Sequence, residues 1–187
     1  NKILIYETAK KMFQEYGYEK TTMGDICRET GLSVGTIYHY YRSKEDILLQ
    51  ICEQAAVVTG NLDEDITEKA KNPFQYILEF MNEYARFWES VGADLVTNVY
   101  RIFDRAFLND DYTLKNIKSH QELGRFIAVA QELGTFDKSM AAQEAANYLF
   151  TAGRGLLYEW FLRKGSYSLT EHSEIFMPRI IRTFIVN

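Results

Sequence analysis

The stretch TTMGDICRETGLSVGTIYHYYRSKE, residues 21–45, reads as two short helices joined by a tight turn. Thr22 stands where a helix N-cap belongs, with Asp25 three residues on, so side chains can satisfy the orphan amides at both positions. Ile26 and Cys27 supply the apolar face of that first helix. Gly31 follows Thr30 as a residue free to take φ > 0, which a helix needs in order to stop and turn sharply. Leu32 plugs the turn, and Ser33 caps a second helix that starts at Val34. On it, Gly35 leaves the backbone bare, while Thr36, Tyr38, His39 and Tyr40 bring hydrogen-bonding tips with little charge. Ile37 and Tyr41, four apart, face back into the core. Such a helix pair fits the major groove of DNA.

At these residues the sequence resembles the TetR family of bacterial transcriptional repressors, from Ile5 through Leu48. The positions that carry the likeness are Ala9, Phe13, Gly17, Thr22, Ile26, Gly31, Ser33, Gly35, Thr36, Tyr38, Tyr40, Ser43, Lys44 and Glu45. Cys27 stands where the family usually has Ala, Tyr41 where Phe is commoner, and Arg42 where Pro or another residue often sits. The resemblance implies an all-α chain: a three-helix helix-turn-helix DNA-binding domain over residues 1–46, joined by a linker helix to a ligand-binding and dimerisation domain over residues 47–187. By position, Val34 can touch a thymine methyl, and Thr36 and His39 can reach base edges. Ser33, Tyr38, Tyr40 and Lys44 resemble the family's phosphate contacts. Thr22 or Met23 would meet the backbone across the groove, aided by the amide end of their helix.

Composition agrees with an all-α fold, because two prolines in 187 residues leave few helix breakers among many good helix formers. The net charge of −5 argues against DNA binding at first sight. Residues 1–50, however, hold seven basic and seven acidic groups, so residues 51–187 carry the whole excess, 14 basic against 19 acidic. Repulsion from phosphate therefore belongs to the part that need not touch it. Cys27 and Cys52 are too few for a disulfide framework, and a reducing cytoplasm is the simpler location. No apolar run approaches the roughly 20 residues that span a bilayer, and no signal peptide is read, so no membrane partner is expected. The chain starts at Asn1 without Met, and a few upstream residues, a basic arm among them, are expected.

Along the chain, Ile5, Ala9, Met12, Phe13 and Tyr16 recur at helical spacing up to Gly17. Ser43 with Asp46 opens a helix towards Val58, which Gly60, Asn61 and the acidic residues 63–65 bend or end. Asn72-Pro73 starts another, which stops near Gly92. Further helices are expected over Leu95 to Phe107, ended by residues 109–112; over 114–133; from a Ser139 cap to Lys164; and from a Thr170 cap through Ile185.

Two features of the second part bear on function. Ala145, Leu149, Ala152, Gly153, Leu156 and Trp160 form one stripe, and Phe176, Ile180 and Phe184 another. A helix apolar on two sides must bury both, and pairing with a second copy does so; the bland alternative is internal core. In the resembled family these helices form a dimer across a two-fold axis, which suits palindromic double-stranded operators read one DNA turn apart. The second feature is a rich aromatic set, from which Tyr84, Phe87, Trp88, Phe103, Phe107 and Tyr148 are candidate pocket walls, with Asn98, Arg101, His120 and Asn147 as polar groups. By resemblance, a small-molecule effector would enter here and spread the recognition helices. His39, His120 and His172 are scattered, no metal-ligand spacing or phosphate loop is present, and neither cofactor nor enzymatic activity is expected. The expected function is a ligand-responsive repressor, released from its operator by a small apolar or aromatic molecule; the alternative is a helical dimeric interaction module without DNA affinity.

Overall fold

A computed structural model describes residues 1–58, 65–108 and 118–186 of the chain. The side chains of residues 52, 53, 55–58 and 103–108 lie outside that description. Its helices are α1 (Lys2–Tyr16), α2 (Met23–Thr30), α3 (Val34–Tyr40), α4 (Lys44–Val58), α5 (Ile66–Lys69), α6 (Pro73–Val91), α7 (Ala93–Leu108), α8 (Lys118–Leu133), α9 (Ala142–Leu162) and α10 (Leu169–Ile181), followed by one 3-10 turn, Arg182–Phe184. The only extended pairing among the described residues is an isolated antiparallel bridge between Phe136 and Ile185. The described residues fall into two compact units, one from Asn1–Gln54 with Val91–Tyr112, the other from Ala55–Ser90 with Thr113–Asn187.

The first unit is built on α1, which buries Ile5, Tyr6, Ala9 and Phe13 along one face. Ile26 and Cys27 of α2, Ile37 of α3, then Tyr41, Ile47, Leu48 and Ile51 are buried in the same unit, as are Leu95, Val96 and Val99 of α7. Phe13 meets Tyr18 edge-on at 5.0 Å between ring centres. In the same unit α7 packs on α1, and Gln14 Nε2 donates to the Val91 carbonyl at 3.1 Å.

The second unit layers α8 on α9 and α9 on α10. Its core joins Ile77, Phe80 and Met81 of α6 to Phe126 of α8, Leu149 and Phe150 of α9, and Met177 and Ile181 of α10. Gly134, at φ +76°, ends α8, a conformation that a side chain would strain.

Several expected boundaries shift. Ser139 does not cap α9; its amide and hydroxyl both turn to the Asp137 carboxylate, and Ala141 holds the cap position. The cap of α10 is Ser168, whose hydroxyl accepts from the Glu171 amide, rather than Thr170. Ile185 has left the helix for the bridge with Phe136. The short α5 was not anticipated, and the expected breaks at Gly60, Asn61 and residues 109–112 and the start at 114 lie outside the described residues.

Thr170 is instead bound by Glu89 near the end of α6. The Glu89 carboxylate accepts from the Leu169 and Thr170 amides, both at 3.1 Å, and from the hydroxyls of Ser168 and Thr170. Burial pushes the carboxyl up, but these donors outweigh it and hold its pKa below the ordinary 4.5. A folded-state pKa depressed in this way adds stability that is full above pH 4.5 and disappears as pH falls through the lower value. Glu89→Ala is therefore expected to cost about 1.5–3 kcal/mol at neutral pH, the usual worth of hydrogen bonds to a charged group. Chemical denaturation at a series of pH values checks this: the gap from the parent protein should close under acid and stay constant above pH 6.

Candidate nucleic-acid interface

Local chemistry builds α2 and α3 as expected. Thr22 Oγ1 accepts from the Asp25 amide at 3.1 Å, and the Asp25 carboxylate accepts from the Thr22 amide at 2.8 Å, a reciprocal cap. Gly31 takes the left-handed conformation at φ 66°, turning the chain out of α2. Ser33 Oγ then accepts from the Thr36 amide at 3.2 Å and caps α3. Ser43 Oγ accepts from the Asp46 amide at 3.2 Å at the start of α4.

Seven residues make α3, and Ile37 alone is buried among them. The remainder face solvent: Val34 is 59% exposed, Tyr38 48% and Tyr40 39%, with His39 also outside and Thr36 half-buried. The His39 and Tyr40 rings meet edge-on at 5.0 Å. Large apolar and aromatic groups are thus left out in solvent on a short helix.

Gly35 sharpens the point. A Cβ placed there would meet nothing nearer than Ser33 Oγ at 4.0 Å, and one at Gly24 would meet only Thr22 Oγ1 at 3.6 Å. Glycine inside a helix costs roughly 1 kcal/mol relative to alanine. Neither glycine is demanded by the chain's own packing, and both leave bare backbone on the outside.

Two expected contacts are placed differently from a simple phosphate-binding role. The Lys44 ammonium donates to the Tyr18 carbonyl at 2.8 Å and lies 4.4 Å from the centre of the Tyr18 ring, so it braces the turn before α2. At the start of α2, Thr22 is engaged in its cap, and the Asp25 carboxylate occupies the amide end. The Thr22 hydroxyl, more than any other group, holds the Asp25 pKa below its ordinary range, and Arg28 pairs with the same carboxylate. The amide end of α2 thus presents a charge of its own. Met23 beside it is half-buried.

In the second unit the expected dimer stripe needs correction. Ala145, Leu149, Gly153 and Trp160 are buried in their own unit, and Ala152, Leu156, Ile180 and Phe184 are half-buried against it; only Phe176 stands exposed. Among the residues α9 presents to solvent are Tyr148 (53% exposed), Thr151, Gly155, Tyr158 (50%) and Leu162 (56%), spaced 3, 4, 3 and 4 apart on one face. Ile175 lies exposed beside Phe176 on α10. Nothing stands within 4 Å of where a Gly155 Cβ would be.

The described pocket candidates divide between the two units. Tyr84 lines a small one, and Phe87 and Trp88 are buried beside it in α6, the Trp88 indole N–H without an acceptor. His120 is buried with its ring 3.8 Å from that of Phe150 and its Nε2 3.4 Å from an Arg154 nitrogen. Asn147 and Tyr148 face outward. Asn98 and Arg101 belong to the first unit, where Asn98 donates to the Asp94 carbonyl and Arg101 pairs with Glu19 at 3.7 Å. The Phe103 and Phe107 side chains are outside the described residues. Among the described residues no group of His, Cys, Asp and Glu side chains could hold a metal, and no helix is long and apolar enough to cross a membrane.

Residues 5–51 match the family model described as bacterial regulatory proteins, tetR family. The fatty acid metabolism regulator protein of Bacillus subtilis is 36% identical over 67 residues, 35% of this chain and 34% of that protein. The chain thus aligns with about a third of the length of that relative. A probable acrEF/envCD operon repressor of Escherichia coli K12 is 19% identical over 195 residues, covering 97% of this chain and 85% of the relative. Among solved structures, Thermus thermophilus FadR, a TetR-family repressor in complex with lauroyl-CoA, superposes with a TM-score of 0.69 at 17% identity, over 97% of this chain and 93% of that one. The helical fold of that structure is shared across both parts of this chain.

Two substitutions separate an outward role from a structural one. Gly35→Ala should stabilise the protein by up to about 1 kcal/mol in thermal unfolding, yet weaken DNA binding at least tenfold in a gel shift. Tyr38→Ala should change stability by less than about 0.5 kcal/mol and also weaken DNA binding.

Proposed function

We propose, on the premise that the chain belongs to the TetR family of bacterial regulatory proteins, that it is a cytoplasmic homodimeric repressor holding a palindromic operator until a small apolar effector releases it. The observation that carries this reading is α3, a seven-residue helix whose one buried side chain is Ile37 and whose other face is exposed. Val34 offers methyl groups to a thymine, and Thr36 and His39 offer hydrogen-bonding tips to base edges. Ser33, Tyr38 and Tyr40 offer hydroxyls to phosphates, and Gly35 lets the DNA backbone approach closely. Thr22 and Met23 lie at the start of the neighbouring helix, on the flank that a phosphate would pass. An ammonium has three donors, and one of Lys44's is spent on the Tyr18 carbonyl. The others reach a phosphate while the first keeps the turn in place.

The pairing face is the outer stripe of α9 from Tyr148 to Leu162, with Ile175 and Phe176 of α10. Two tyrosines, a leucine, an isoleucine and a phenylalanine form an apolar surface that favours removal from water. Gly155 at its centre allows a partner helix to come close. Reading a palindrome requires two copies of α3 about 34–36 Å apart, one turn of DNA. The effector reading is supported by the aromatic and aliphatic core of the second unit. The Thermus protein of like fold, in complex with lauroyl-CoA, adds an instance of a ligand with an apolar acyl chain.

A gel shift with duplexes from around the chain's own gene tests the reading. Specific binding to a palindrome should weaken on the order of 10³-fold between 50 and 200 mM salt, as phosphate contacts give up their counterions. Binding to no such DNA favours the interaction module. Tyr158→Asp with Leu162→Asp should give a folded monomer by sedimentation, with operator affinity lower by about two orders of magnitude once the second half-site is lost. A variant that stays dimeric would move the pairing face elsewhere.

A further inference from the structure

A cavity of about 10 Å³ lies in the second unit where α6, α9 and α10 meet. That is room for one water molecule at most. Its apolar walls include Ala85, Leu156 and Leu169, with Tyr84 on one side. Two features set it apart from an ordinary packing defect. The first is Met81, whose terminal methyl lies 2.6 Å from where a Gly153 Cβ would stand, so the missing side chain at Gly153 is filled by the tip of a thioether. A methionine is unbranched and turns readily about three bonds, unlike the branched Leu156 and Leu169 or the aromatic Tyr84 that line the cavity with it. The second is polar. Ser173 lines the cavity and is 1% exposed, and its hydroxyl donates to Asn82 Oδ1 at 2.8 Å. A buried polar pair in an apolar core costs stability that hydrocarbon would not.

We propose that this cavity is the closed form of an effector site, gated by Met81, for a small neutral molecule with an apolar body and one O–H or N–H donor. This rests on the reading of the chain as an effector-controlled regulator. The donor requirement follows from the direction of the bond already present. Ser173 has committed its proton to Asn82, so its oxygen presents lone pairs to the cavity and accepts from an alcohol, phenol or indole, whereas a ketone or ester brings another acceptor. The lining holds neither a carboxylate nor a basic side chain, so a charged end would be buried unpaired. Withdrawal of Met81 from above Gly153 opens the volume that the body of the molecule fills.

Phenol and toluene, nearly equal in shape and differing by one hydroxyl, are the probes. In calorimetric titration, phenol should bind the wild-type chain about tenfold tighter than toluene, the upper range for one neutral hydrogen bond. Met81→Ala should strengthen both, and Ser173→Ala in that background should abolish the preference for phenol. Equal binding of the two probes by the wild-type chain, or no binding of either by Met81→Ala, overturns the proposal. Should Ser173→Ala fail to fold, a crystal structure of the wild-type chain with phenol decides the matter. A hydroxyl within hydrogen-bonding distance of Ser173 Oγ supports the site, and phenol only at the surface overturns it. Operator binding measured without phenol is independent: its loss strikes the regulator reading and leaves the cavity result standing.

Discussion

The burial of Ile37 in the core of the first unit is the contact on which the interface depends. A helix of seven residues is not stable alone, since the nucleation cost exceeds what so few hydrogen bonds return. The orientation of α3 is held by three things: the Ile37 side chain in the core, the Ser33 cap and the left-handed turn at Gly31. With Ile37 turned inward, the helical period sends Gly35, Tyr38 and His39 outward together. The same residue thus anchors the helix and selects its exposed face.

This division also explains where polar and charged groups are spent. Asp25, Arg28, Thr22 and Lys44, the charged and hydroxyl groups nearest the motif, make bonds within the unit. The outer face of α3 is left to hydroxyls, an imidazole and methyl groups, none of them in an ion pair among the described residues. The acidic excess lies in residues 51–187.

What could be read from sequence divides by the range of the interaction. The Thr22–Asp25 cap, the Ser33 cap, the turn at Gly31 and the inward Ile37 all follow from residues within four positions of one another, and each stands as expected. The bond from Lys44 to the Tyr18 carbonyl is not of that range, since the two residues lie 26 apart. The cap of α10 was misplaced by two residues because Ser168 and Thr170 are both capable hydroxyls, and only Glu89, some 80 residues earlier, decides between them. The stripes on α9 show the same limit. A helix with apolar residues on two sides reveals both faces by periodicity, but only packing tells which faces its own core. The face through Ala145, Leu149 and Gly153 went inward and left Tyr148, Tyr158 and Leu162 outside. Scattered aromatic residues could not be resolved into a pocket for the same reason, since each is equally good core.

The most direct measurement is nuclear magnetic resonance of the isotopically labelled chain titrated with a duplex from upstream of its gene. The expected result is that signals of Val34, Gly35, Tyr38 and His39 move most, with Ile37 and the outer face of α9 little changed, at one duplex per two chains. The contrary result is that these four stay still while another surface shifts, or that saturation comes at one duplex per single chain.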